Sequence, residues 1–208
     1  MIPLAEKLRP VSIAQVVGQK HLLGKQGPIR IMLEKEALMS MILWGPPGCG
    51  KTTIAKLVAY ESKSHFISLS AVHTGKADVM KVVVQAKEIK QALGKQTILF
   101  IDEIHRFNKG QQDRFLSYVE NGTIPLIGAT TENPSFSVIS PLLSRSRIFK
   151  LNSLSDEDIR EIVEKAIKFY PKNKWEEDAL DLIVKHSNGD ARTSINAVEL
   201  AATLAKKI

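Results

Sequence analysis

"LWGPPGCGKTT", residues 43–53, sets the terms for the whole chain. An apolar run is cut by two prolines and three glycines, and a lysine and two threonines follow at once. Gly45-Pro46-Pro47-Gly48-Cys49-Gly50-Lys51-Thr52 fits G-x-x-x-x-G-K-[ST], a loop whose glycines let backbone N–H groups turn inward around a phosphate. The motif requires a strand before it and a helix after it. Both are predicted here, the strand ending at Trp44 and the helix over Thr53–Ser62. The helix N-terminus adds favourable partial charge. Lys51 is expected on the β- and γ-phosphates of ATP, and the Thr52 hydroxyl on Mg²⁺. Pro46, Pro47, Gly48, Cys49, Gly50 and Thr53 complete the expected nucleotide contact, with Cys49 read as a small filler.

A second phosphate-chemistry element should come from a neighbouring strand, and "ILFIDEIH" (98–105) supplies it. Four apolar residues carry the chain to a sheet edge, where Asp102 can hold Mg²⁺ through its water shell. Glu103 is placed to orient and deprotonate an attacking water. Alone, such a carboxylate pair can also read as a solvated strand end, the lesser of the two readings; behind a phosphate loop it reads as hydrolytic chemistry. His105 and Arg106 read as surface residues at a helix start.

Outward from these motifs, short β-rich runs alternate with helical stretches: 40–45 ("MSMILW" ending at Trp44), 65–69, 97–101, 124–129 and 147–151. Alternating β and α predicts a parallel sheet covered on both faces. After Leu151 only helices are predicted. Ser155 with Asp158 marks a capped start, and Ile159, Ile162, Val163, Ala166 and Ile167 fall on one face. A second helix is expected over about 175–187 with Ala179, Leu182 and Ile183 inward. "NGD" (188–190) should stop it and let Asp190 cap a third helix, from Ala191 to about Lys206, with Ile195, Val198, Ala202 and Ala205 inward. The expected organisation is an α/β nucleotide-binding domain over 1–152 and a small all-helical domain over 153–208. The chain stops just after a helix and reads as part of a longer protein.

Composition narrows the class. The 208 residues include one cysteine, Cys49, so an internal disulfide is excluded and a cytoplasmic setting expected. No apolar run approaches the ~18 residues of a membrane span. The net charge of +7 suits nucleic acid as a partner, and equally suits lysine-rich solubility.

These motifs resemble the AAA+ ATPases, a P-loop NTPase fold in which an αβα domain is followed by a helical lid. "LIGATTENP" (126–134) resembles the sensor 1 strand, which implies a γ-phosphate or water contact for Thr131, with Thr130 and Asn133 as neighbours. "LLSRSRIF" (142–149) resembles the arginine-finger segment, implying that Arg145, with Arg147 as second choice, reaches the ATP of an adjacent subunit. Ser146 stands where related proteins carry a cysteine. "GDAR" (189–192) resembles sensor 2, implying that Arg192 points from the lid to the phosphates. Arg9-Pro10 and "VVGQ" (16–19) resemble the adenine-binding segment, with the backbone around Val17 and Gly18 reading the base.

Together the motifs, spanning about residues 9–192, resemble the family of replication-associated recombination protein A and the Werner-helicase-interacting protein. The resemblance implies a DNA-dependent ATPase of replication-fork maintenance, recombination and repair. It also implies homo-oligomers, association with single-strand binding protein, DNA ends, gaps or forks as partners, and a cytoplasmic, nucleoid-associated location. The family's C-terminal oligomerisation region is not in this sequence. By analogy with clamp loaders, Lys109 on the "HRFNKGQQDRFLSYVENG" helix (105–122) and Lys76 in "HTGKADVMK" (73–81) are candidate DNA phosphate contacts. On that helix Phe115, Leu116 and Val119 are expected inward, and Asn108, Lys109, Gln111 and Gln112 at an exposed start. A clamp-loader-type subunit acting as a structural loading component is the alternative. A protein unfoldase is disfavoured because "SLSAVHTGKAD" (68–78) lacks an aromatic pore residue. A small-molecule kinase is disfavoured by Glu103, by the sensor 2 arginine and by a separate helical lid.

Overall fold

Hydrophobic runs too short for helices and rich in Ile, Leu and Phe form a parallel sheet, as the alternating pattern predicts. The computed structural model describes residues 2–70, 76–122 and 124–205. Among these the strands are β1 (Met41–Trp44), β2 (His65–Ser70), β3 (Thr97–Asp102), β4 (Leu126–Thr130) and β5 (Arg147–Lys150). The helices are α1 (Leu4–Lys7), α2 (Lys20–Leu23), α3 (Pro28–Glu34), α4 (Lys51–Glu61), α5 (Lys76–Leu93) and α6 (Lys109–Glu120). They continue with α7 (Pro134–Ser137), α8 (Ser140–Ser144), α9 (Asp156–Ile167), α10 (Glu177–Ser187) and α11 (Ala191–Ala205). Residues 73–75 of the expected DNA-facing segment, and 71–75 of the stretch weighed as a pore loop, lie outside the described residues.

The chain divides into two compact units. One comprises His21–Gly45 and Lys51–Leu151, and the other Met1–Lys20, Pro46–Gly50 and Asn152–Ile208. In the first, the strand order is β2-β3-β4-β1-β5, every pair parallel. Ile42, Leu99, Ile101 and Leu126 face one side, in a core with Val79, Val82, Val83 and Ala86 of α5 and Phe115 of α6. Leu43, Ile98, Phe100 and Ile127, alternating with them, are buried too. Since alternate residues point to opposite faces, the sheet is covered on both sides.

β4 lies between β1 and β3, and this decides the site. Its Gly128 pairs with Ile42 in β1 and Ile101 in β3. A Cβ there would sit 2.8 Å from Ile42 Cδ1 and 3.0 Å from Ile104 Cδ1, so the glycine makes room for the turn that follows β3. α6 opens with a capping box formed by Asn108 and Gln111. Phe115 is buried, and Leu116 and Val119 are half-buried. Gln112, expected at the exposed start, is buried. Its amide donates to the carbonyls of Phe107 and Ser137 and accepts from Ile139 N–H. A glutamine can satisfy three buried backbone groups at once, and polarity alone gave no sign of this.

In the helical unit, α9 starts at Ser155 in a capping box with Asp158, as expected. Ile159, Val163 and Ala166 form a core with Leu4 of α1, Leu180 and Val184 of α10, and Ile195 and Val198 of α11. The inward face of α10 differs from the expected one. Leu180 and Val184 are buried with Ile183 packed beside them, while Ala179 and Leu182 are exposed. Two apolar registers compete on this short helix, and the larger Leu–Val pair takes the core. Ala205 is likewise exposed at the end of α11. Asn188 and Gly189, both with positive φ, end α10, and Asp190 caps α11 through the N–H groups of Arg192 and Thr193.

Candidate functional site

The phosphate motif begins where β1 ends. Gly45 N–H donates to the Thr130 carbonyl, which continues the β1–β4 ladder one residue into the loop. The Gly45 carbonyl accepts from Lys51 Nζ at 2.8 Å. Lys51 opens α4, two residues before the expected start, and its side chain is buried. A buried ammonium needs acceptors, and the Gly45 carbonyl supplies one. Thr52 and Thr53 follow in the first turn of α4, both half-buried.

Pro46–Gly50 belongs to the helical unit. Gly48 and Gly50 have φ of +66° and +103°, which glycine adopts without strain. A Cβ on Gly48 would collide with the Asp190 carboxylate, so both conformation and space demand glycine there. In the same unit Gln19 is buried. Its side chain donates to the Cys49 and Asn152 carbonyls and accepts from Asn152 N–H. The expected base-reading pair lies beside it, and Gly18, at φ +73°, comes so near Leu154 that a Cβ would lie 2.6 Å from its Cδ2. The "VVGQ" motif pointed to Val17 and Gly18; the role of Gln19 as a clamp on the loop emerged only from the fold. Arg192 is exposed at the start of α11.

β3 delivers Asp102 at its last position, and Glu103 follows with φ 51° and ψ 51°. That left-handed conformation is uncommon for a residue with a Cβ. Glu103 N–H donates to Asp102 Oδ1 at 3.1 Å. His105 departs from its surface expectation. Its side chain is only 12% exposed, with Nδ1 3.0 Å from Thr130 Oγ1 and 3.3 Å from Glu103 Oε2. Its Nε2 lies 3.8 Å from Glu132 Oε1. Its neighbour Arg106 is exposed, as expected. The sequence signal for His105 was its spacing two residues after Glu103; the Thr130 hydroxyl that holds it comes from a strand 25 residues away.

Thr130 is fully buried, and its Oγ1 accepts Glu132 N–H and donates to the Glu132 carbonyl. Thr131 and Asn133 are exposed just beyond β4, Asn133 capping α7. Arg145 caps the C-terminal end of α8. It donates to the Pro141 carbonyl and Ser144 Oγ and pairs with Glu120 at 2.6 Å. Arg147 is exposed at the start of β5. Lys109 is exposed at the start of α6, Lys76 begins α5, and Lys81 pairs with Asp78.

The donor set fits Mg²⁺. The Thr52 hydroxyl and the half-buried Asp102 carboxylate are hard oxygen ligands of the kind that share this ion with nucleotide phosphates. Among the described residues no group of three or more His, Cys, Asp or Glu could hold a metal by itself, and no helix is long and apolar enough to cross a membrane.

Comparison with known proteins agrees with this architecture. The chain is 44% identical over 210 residues to the replication-associated recombination protein A of Escherichia coli, covering 98% of this chain and 47% of that protein. It is 42% identical to ATPase WRNIP1 of Dictyostelium discoideum, covering 96% of this chain and 23% of that protein. The chain thus spans about half the length of the bacterial relative. The solved RuvB Holliday junction branch migration motor of Thermotoga maritima superimposes with a TM-score of 0.77 at 30% identity, covering 92% of this chain and 64% of that one. Residues 41–156, more than half of the sequence, match the ATPase family associated with various cellular activities (AAA), and the chain belongs to that family.

Proposed function

We propose that the protein is a DNA-stimulated ATPase of replication and recombination, converting ATP and water to ADP and phosphate as a homo-oligomer. One observation carries the hydrolytic part. A continuous hydrogen-bonded frame runs from Lys51 through Gly45 and Thr130 to His105, which contacts Glu103, so the phosphate-binding lysine and the candidate base share one support. Lys51 and the loop N–H groups would take the phosphates. Thr52 and Asp102 would hold Mg²⁺, which when bound neutralises charge developing on the phosphoryl oxygens. Glu103 would accept a proton as the water oxygen bonds to the γ-phosphorus and the bond to the bridging oxygen breaks, releasing ADP.

Thr131 would touch the γ-phosphate or the water, and Arg145 would serve the neighbouring subunit after exchanging Glu120 for phosphate. Arg192 takes its role from its motif, as do Val17 and Gly18 beside the base. Support for the cellular role comes from the names of the relatives. DNA ends, gaps or forks as the target, single-strand binding protein as a partner and a nucleoid-associated cytoplasmic location stand or fall with that kinship. Lys76 and Lys109 are the proposed phosphate contacts, and replacing both with Ala should make the salt dependence of DNA binding shallower.

The deciding experiment is steady-state hydrolysis by the full-length protein without DNA, with duplex and with gapped duplex. Glu103→Gln should keep nucleotide binding and lose turnover. Absence of stimulation by any DNA would remove the DNA-dependent half of the proposal. Full turnover by Glu103→Gln would remove the carboxylate as the base.

A further inference from the structure

We infer that His105 is a positioning residue for the Glu103 carboxylate, anchored by the buried hydroxyl of Thr130. The inference rests on the reading of Glu103 as the base.

The Glu103 carboxylate, when ionised, only accepts hydrogen bonds, so its Oε2, 3.3 Å from Nδ1, calls for a hydrogen on that nitrogen. Thr130 Oγ1, 3.0 Å from Nδ1, accepts Glu132 N–H and can give its own hydrogen to the Glu132 carbonyl, which leaves it able to accept from the same Nδ1–H. Nε2 faces Glu132 Oε1 at 3.8 Å. The ring is fixed on one side by a fully buried residue of the central strand and presents its donor to Glu103.

Glu103 needs such a partner. Its backbone is held by the left-handed turn and by the Asp102 carboxylate, but these leave the side-chain torsions open. A base must sit within hydrogen-bond reach of its water, and a displacement near 1 Å is costly. Because Thr130 also accepts Gly45 N–H, the group that orients the base is tied to the residue where the phosphate loop leaves the sheet.

The test uses full-length protein and measures kcat and KM for hydrolysis, and the affinity for a fluorescent ADP analogue. His105→Ala should lower kcat roughly ten- to a hundredfold with KM and ADP affinity within about twofold. His105→Asn, whose amide nitrogen can stand where Nδ1 stands, should recover most of the rate; His105→Gln, which extends toward the Nε2 position, should not. In a Glu103→Gln background, His105→Ala should change nothing further, because the two act as one unit. Wild-type kcat in His105→Ala while Glu103→Gln is inactive would overturn the inference and leave the base assignment standing. So would equal rates for the Asn and Gln variants, or additivity with Glu103→Gln. Full turnover by Glu103→Gln would overturn the base assignment itself, and the inference with it.

Discussion

The ends of the parallel strands and the ends of the lone helices hold their polar residues in different ways. At the sheet, Gly45, Glu103 and His105 are supported through Thr130, a residue far from all of them in sequence but adjacent by strand order. At the starts of α9 and α11 the polar fastenings are local: Ser155 with Asp158, and Asp190 with the amides two and three residues along. A sheet end fixes side chains through non-local register; a helix end fixes them within one turn. Substitutions at the first should therefore reach the chemistry, whereas those at the second should mainly change stability.

The widest separation is expected from Lys51→Ala. Loss of the phosphate contact proposed for Lys51 should weaken nucleotide binding roughly a hundredfold or more, read by titration with a fluorescent ADP analogue. Tight binding by that variant would break the comparison at its strongest point. Next comes a pair on α10: Leu180→Ala should cost about 2–5 kcal/mol in urea denaturation, whereas Leu182→Ala, on an exposed side chain, should stay within about 0.5 kcal/mol. Equal costs would mean that the face of α10 is misassigned.

Gly128→Ala should cost about 1–3 kcal/mol, because the new methyl group meets Ile42 and Ile104. Ile104 lies between Glu103 and His105, so turnover should fall too, and a purely thermal effect would separate the sheet core from the proposed base. The smallest effect belongs to Ser155→Ala, about 1 kcal/mol from the lost cap. The Ser155 hydroxyl also holds the Glu157 carboxyl below its ordinary value of 4.5. A carboxyl depressed in the folded state stabilises fully above its unfolded value and loses that contribution as pH falls through the folded one. The deficit of the alanine variant should accordingly shrink when urea midpoints are compared at about pH 7 and about pH 3.

Much of this was readable in advance because the signals are local. The strands announced themselves as apolar runs of strand length, the phosphate loop as a fixed spacing of glycines and a lysine, and the start of α9 as Ser155 followed by Asp158. What failed had a common cause. Gln112 and His105 are polar residues near helix starts, where solvent is the ordinary environment, and only their distant partners at Ile139 and Thr130 make them interior. The face of α10 is ambiguous in the sequence because two apolar registers overlap on it, and the choice between them belongs to α9 and α11.

The amino-acid sequence by itself therefore determined the class of fold, the succession of its strands and later helices, and the spacing of the G-x-x-x-x-G-K-T motif, since each depends on periodicity or on residues a few positions apart. Tertiary structure alone decided that β4 runs between β1 and β3, and hence that the Thr130 hydroxyl meets His105 and its carbonyl meets Gly45. Which strand lies beside which is a matter of non-local pairing and packing, and no local pattern encodes which remote hydroxyl will satisfy a given imidazole.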